Sequence, residues 1–371
     1  MDATENGGAA EGIVRTEATI VIALAILAAL AVKIPALFGL SMHEENAAFY
    51  ARNISLFVLP FLAGYFVWKR TLGVRNCLWI AAPFAAAGVF VNVFPFEPEA
   101  ATELLAVLHL PIALWLVIGI AYAGGAWGDS ARRMDFVRFS GEFFIYYVLI
   151  ALGGIVLTAL TMFMFNAIGL DPEWFMQNWL IPCGALGAVL IAAWLVETKQ
   201  SIMANFAPLL TRLFTPLFAI VLLVFLGSML WTGNSINMER EALIGCDLLL
   251  VVVLGLLLYA VSARDPDKKP GAFDIFQLVL VASALIVDVV ALTAIVARIS
   301  EFGFSPNKVA ALGMNLILLV NLAWSFWLYV RFLRGAGSFT ALERWQTDYL
   351  PVYALWAGLV VIVFPPLFGY V

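Results

Sequence analysis

The chain has 371 residues, 64% of them hydrophobic and 12% charged, with a formal net charge of −5. Soluble domains are about 45–50% apolar and about a quarter charged, so most of this chain has lipid for its solvent. The gaps between apolar stretches are too short to fold a nucleotide-hydrolysing or DNA-binding head, and no GxxxxGK[ST] loop occurs.

Taken in order, residues 1–17 are rich in Gly and acidic side chains and read as a disordered cytoplasmic tail. Asp2, Glu5 and Glu11 stand where a cleavable signal carries basic residues, so the first apolar run reads as a retained helix. Residues 18–371 read as a single all-α transmembrane domain. Eleven stretches are long enough, or nearly so, to cross a hydrocarbon core of about 30 Å as helices. They lie near 18–40, 54–68, 77–94, 102–125, 142–168, 179–196, 213–231, 243–263, 274–298, 309–332 and 351–370. The second is the shortest and carries Pro60, which marks it as the one to be re-entrant or miscounted. Met134–Phe144 and Ile202–Leu213 mix large apolar residues with Arg138, Glu142, Asn205 and Arg212. Each is either an amphipathic helix at the headgroups or the end of its neighbour. Trp68, Trp127, Trp174, Trp179, Trp194, Trp231 and Trp345 fall near span ends, as an aromatic belt requires. Gly124 with Gly128, and Gly184 with Ala188 and Ala192, offer close helix contacts. Cys77, Cys183 and Cys246 lie in apolar segments and read as small buried hydrophobes, not a disulfide framework.

Alternate gaps are basic. Fifteen of the 20 Lys and Arg fall on the side of the N-terminus. Four, Arg52, Arg240, Arg298 and Lys308, fall on the other side, and Lys33 lies within the first span. This split places the N-terminus in the cytoplasm and the C-terminus outside. The basic residues form a ring suited to anionic headgroups; they lack the concentrated surface that nucleic acid requires. The bilayer is the expected partner, with a membrane protein or a second copy as a further one.

Ionisable groups inside a bilayer are functional candidates by default. Asp288 is the deepest, among Leu285, Val287 and Val289, with no local opposite charge. Either it handles an ion or a proton, or it ties two helices together through Asn315 or Asn321. Asp247 lies about one turn inside its span, where a helix N-terminus favours a carboxylate. Lys33 either snorkels outward or pairs with Asp288 or Asp247. His43, Glu44 and Glu45 in the first exterior loop, with His109, would be a metal or general-base cluster, but no HExxH or i, i+4 His pair supports it. No cofactor is implied, and no reaction motif is present.

Arg298-Ile-Ser-Glu-Phe-Gly-Phe-Ser-Pro-Asn-Lys308 places Arg298, Glu301, Gly303, Pro306 and Asn307 in one short exterior segment. With Arg212-Leu-Phe-Thr-Pro-Leu217 and Ser262-Ala-Arg-Asp-Pro266, it resembles the bacterial membrane family catalogued as domain of unknown function 4153. The likeness is clearest over 136–333. It implies a polytopic protein of the bacterial inner membrane and supplies no substrate, cofactor or catalytic residue. Read physically, the segment is either a rigid turn or a ligand site: Gly303 permits a left-handed turn and Pro306 can open the next helix. The expectation is a permease-like protein for a small solute or ion. The alternatives are a non-catalytic membrane subunit or sensor acting through a partner, and a lipid-linked transferase using Glu44 or Glu45.

Overall fold

The computed structural model describes residues 2–42, 44–167, 171–198, 213–224, 226–227, 231 and 240–371. Every regular element among them is helical. The helices are α1 (Asp2–Ala31), α2 (Ala47–Lys69), α3 (Val74–Val93), α4 (Ala101–Tyr122), α5 (Ser130–Ala167) and α6 (Ile181–Thr198). They continue as α7 (Leu213–Val224), α8 (Arg240–Ala263), α9 (Ala272–Phe302), α10 (Pro306–Leu333) and α11 (Phe339–Ile362). Among the described residues, nine helices are long and apolar enough to cross a membrane. The chain is thus a multi-pass helical membrane protein.

Several boundaries differ from the sequence reading. α1 begins at Asp2, so residues 2–17 continue a helix instead of forming an irregular tail; acidic residues in a first turn favour its dipole. α2 is 23 residues long with Pro60 inside it, and at about 1.5 Å per residue it is long enough to span rather than re-enter. A proline costs one backbone bond, which surrounding helices compensate in a membrane. Met134–Phe144 is not a separate surface helix but part of α5, whose 38 residues rise about 57 Å. Ile202–Arg212 lies outside the described residues. The last apolar segment begins earlier than 351: α11 starts at Phe339, because Phe339, Leu342, Gln346 and Leu350 form one buried stripe at helical spacing. Gly124, with φ of 67°, lies in the turn after α4, and nothing lies within 4 Å of a Cβ added at Gly128, so the two do not form a helix-packing face.

The chain also divides into two compact units where one bundle was expected. The first comprises Met1–Val93, Val117–Ala126 and Glu142–Gln200. In it α1 packs on α6 and α2, and α2 on α3. Small residues permit the α1–α6 crossing: Gly187 faces Ala25, and the Cys183 thiol reaches the Ala29 carbonyl at 3.3 Å. At one end of this unit Lys69 Nζ lies 2.6 Å from Glu17 and 3.1 Å from Glu197, and Arg70 lies 3.2 Å from Glu197. Tyr65 donates to Glu17 at 2.6 Å. Nearly buried charges are tolerated when each is paired in this way.

The second unit comprises Phe94–Leu116, Trp127–Gly141 and Ser201–Val371. Its centre is α9, which packs on α8 and α10, while α11 packs on α10. Leu280, Ala284, Val287, Ala291 and Ala294 recur three and four residues apart and are buried, whereas Ile286, Val289 and Val296 are exposed. One stripe of α9 therefore meets helices and the other meets lipid. Asp288, four residues after Ala284 and three before Ala291, falls on the buried stripe. At the far end of this unit Arg264 pairs with Asp274 at 2.8 Å, stacks over Phe332 and Phe339, and donates to the Lys268 carbonyl. Arg133 pairs with Asp348.

Candidate functional site

Three polar residues of the second unit, Asp247, Asp288 and Asn315, lie on α8, α9 and α10, which pack together. Asn315 of α10 is fully buried and donates from Nδ2 to Asp247 Oδ1 at 2.8 Å and to the Ala311 carbonyl at 2.9 Å. Both donors of its amide are therefore used, and its Oδ1 has no partner among the described residues. Asp288 of α9 is 0% exposed, and neither carboxyl oxygen finds a hydrogen-bond partner among the described residues. Asp247 and Asp288 lie on neighbouring helices, α8 and α9, that pack together. Fourteen residues separate Asp288 from the end of α9 at Phe302, about 21 Å of helix.

Buried polar atoms are almost always paired, since an unmade hydrogen bond away from water costs about 1–3 kcal/mol. Here three acceptor atoms, both oxygens of Asp288 and Oδ1 of Asn315, stand in one helix cluster without a donor. A water, a proton or a small cation can each answer such a set.

The two asparagines do not serve Asp288 as the sequence reading allowed. Asn315 is committed to Asp247. Asn321 donates to Gln346 Oε1 at 3.2 Å, and Gln346 in turn donates to Ser325 Oγ at 2.7 Å. All three of these side chains are fully buried. Asn315 and Asn321 are six residues apart, so α10 carries polar groups along about 9 Å of its buried face. Sequence reasoning missed Gln346 and Ser325. Gln346 lies in a polar stretch between the expected spans, and Ser325 is a single small polar residue inside one. Sequence reasoning also missed Gln277, which donates to Thr215 Oγ1 at 2.9 Å in the same unit.

The other candidates lie away from this cluster. α1 ends at Ala31, so Lys33 lies beyond the helix and not within it. Its Nζ is 3.4 Å from Met42 Sδ and 5.1 Å over the Trp179 ring, partners of the first unit. Trp179 belongs to a π-helical turn, Met176–Leu180, that leads into α6. Arg298 and Glu301 lie in the last turns of α9, and the segment between α9 and α10 shrinks to Gly303–Phe304–Ser305. Gly303 takes φ of 72° and caps α9 by donating to Ile299 O at 2.8 Å; Pro306 opens α10, and Lys308 donates to the Gly303 carbonyl at 2.8 Å. Glu301 and Asn307 are exposed. This is a built turn. His109 bonds the Leu105 carbonyl of its own helix at 2.9 Å. Glu45 is exposed, while His43 and the Glu44 side chain lie outside the described residues. Among the described residues no three His, Cys, Asp or Glu side chains are grouped to hold a metal ion. The three cysteines are free.

No family model, no curated protein and no solved structure matches the chain.

Proposed function

We propose that the chain is a permease-like protein of the bacterial inner membrane that moves a small solute or an ion, with Asp288 as the coupling residue. One observation supports the reading: a carboxyl near the midpoint of a membrane-spanning helix, fully buried and without a hydrogen-bond partner among the described residues, with the Asp247–Asn315 pair on the two helices packed against it. Such a group is costly in a bilayer and gains its use by taking up and releasing a cation or proton. The charge distribution supports eleven spans with the N-terminus in the cytoplasm, α7 and α11 joining the nine long helices. Membership of the family catalogued as domain of unknown function 4153 belongs to the same proposal.

The test compares a deletion strain carrying wild type, Asp288→Asn, or vector alone. Small solutes are profiled in cells and in medium by mass spectrometry. The expected result is one solute class redistributed in the deletion, restored by wild type and not by Asp288→Asn at equal membrane abundance. Full restoration by Asp288→Asn removes the coupling role. No redistributed solute, together with a protein partner co-purifying at fixed stoichiometry, moves the function to that partner.

A further inference from the structure

We infer that the groove between α10 and α11 binds the phosphate headgroup of an anionic phospholipid. The groove has a volume of about 560 Å³ and is lined by Trp324, Trp327, Trp345, Arg331, Arg344 and Asp348, among others. Its chemistry changes along its length. Arg331 lies in the last turn of α10 and Arg344 in the second turn of α11, so both guanidiniums stand near the helix ends that the charge count assigns to the cytoplasm. Trp324 and Trp327 lie nine and six residues before the end of α10, about 14 and 9 Å deeper. The result is a cationic mouth above an aromatic wall, the profile of an amphiphile and not of a free ion.

Two further details support a bound anion. Asp348, the acid in the groove, is already paired with Arg133. Arg331 and Arg344 have no carboxylate within ion-pair distance among the described residues, so the groove holds two uncompensated positive charges. The wall is also pre-formed. The Trp324 ring lies 4.8 Å from Trp327 and 5.7 Å from Trp345, tilted against both, and Trp345 Nε1 donates to the Asn321 carbonyl at 3.2 Å. Arg331 is held over Trp327 at 4.8 Å and donates to the Ala336 carbonyl at 2.8 Å, which leaves the rest of its planar fork for phosphate oxygens. A single acyl chain can lie along the tryptophans while the two arginines take the phosphate.

The experiment uses the purified full chain in a neutral detergent. Dioleoyl phosphatidylglycerol, dioleoyl phosphatidylcholine and inorganic phosphate are titrated separately, and binding is read from tryptophan emission and from native mass spectrometry. Wild type is expected to bind phosphatidylglycerol in preference to phosphatidylcholine. Arg331→Gln with Arg344→Gln should weaken phosphatidylglycerol about thirty-fold, which at a factor of ten per 1.4 kcal/mol is about 2 kcal/mol, the value of two cationic contacts at a membrane surface. Arg331→Lys with Arg344→Lys should weaken it less, and Arg334→Gln, outside the groove, not at all. Equal binding of the two lipids by wild type overturns the inference whatever the variants do, so a misfolded variant does not rescue it. Phosphate binding as sensitive to the two arginines as lipid binding makes this a free-anion site and overturns the lipid assignment.

Discussion

Gly313 measures how closely α10 and α11 approach beside the site, for it stands two residues before Asn315. A Cβ added there would lie 1.9 Å from Cη2 and 2.3 Å from Cζ2 of Trp356. Carbon atoms in ordinary contact are about 3.5–4.0 Å apart, so the indole must retreat by about 2 Å. It has little room, because it packs edge-on to Phe364 at 5.8 Å within the cluster of Leu105, Ala310 and Val360. Two effects oppose each other in Gly313→Ala. Helix propensity favours Ala by about 1 kcal/mol. Overpacking costs about 1–3 kcal/mol, and a displacement this large belongs at the upper end. The expected net loss is about 2 kcal/mol, measured by equilibrium unfolding in mixed micelles. Gly358 of α11 is the control: nothing lies within 4 Å of an added Cβ, so Gly358→Ala should gain about 0.5–1 kcal/mol. Trp356→Leu should recover most of the loss in the Gly313→Ala background, giving a coupling of about 1–2 kcal/mol between the positions. If Gly313→Ala is as stable as wild type, or more so, the close approach of the two helices is wrong and the placement of Asn315 with it.

Gln346→Leu keeps the volume but leaves the buried Asn321 amide without its acceptor, so it should lose about 1–3 kcal/mol in the same unfolding assay; a neutral result would show the Asn321–Gln346 bond to be of no consequence.

The apolar runs and the basic gaps made the helical membrane architecture readable, because bilayer thickness and backbone hydrogen bonding leave a spanning segment few choices. Asp288 was equally visible: a charge in an apolar run stands out whatever surrounds it. Its relation to Asp247 was not, since that depends on which faces of α8, α9 and α10 meet, and lipid-exposed stripes are as apolar as buried ones. Gln346 was hidden for the opposite reason, lying in a polar stretch where one more polar residue carries no signal. The Glu17–Lys69–Glu197–Arg70 network joins residues up to 180 positions apart, and pairing at that separation leaves no local trace.

The Gly303–Phe304–Ser305 turn has a mechanical consequence. Three residues, pinned by the Gly303 cap and by Lys308, bind α9 and α10 into a hairpin whose arms cannot part at that end. Asp288 and Asn315 therefore travel together. α8 is fastened to α9 at the opposite end, where Arg264 grips Asp274. At the level of Asp247, the one polar link between α8 and the hairpin among the described residues is the Asn315–Asp247 hydrogen bond. Under the proposed function α8 is the helix to watch: an ion pair fastens it at one end, and a single hydrogen bond worth about 1 kcal/mol holds it to the hairpin at the other.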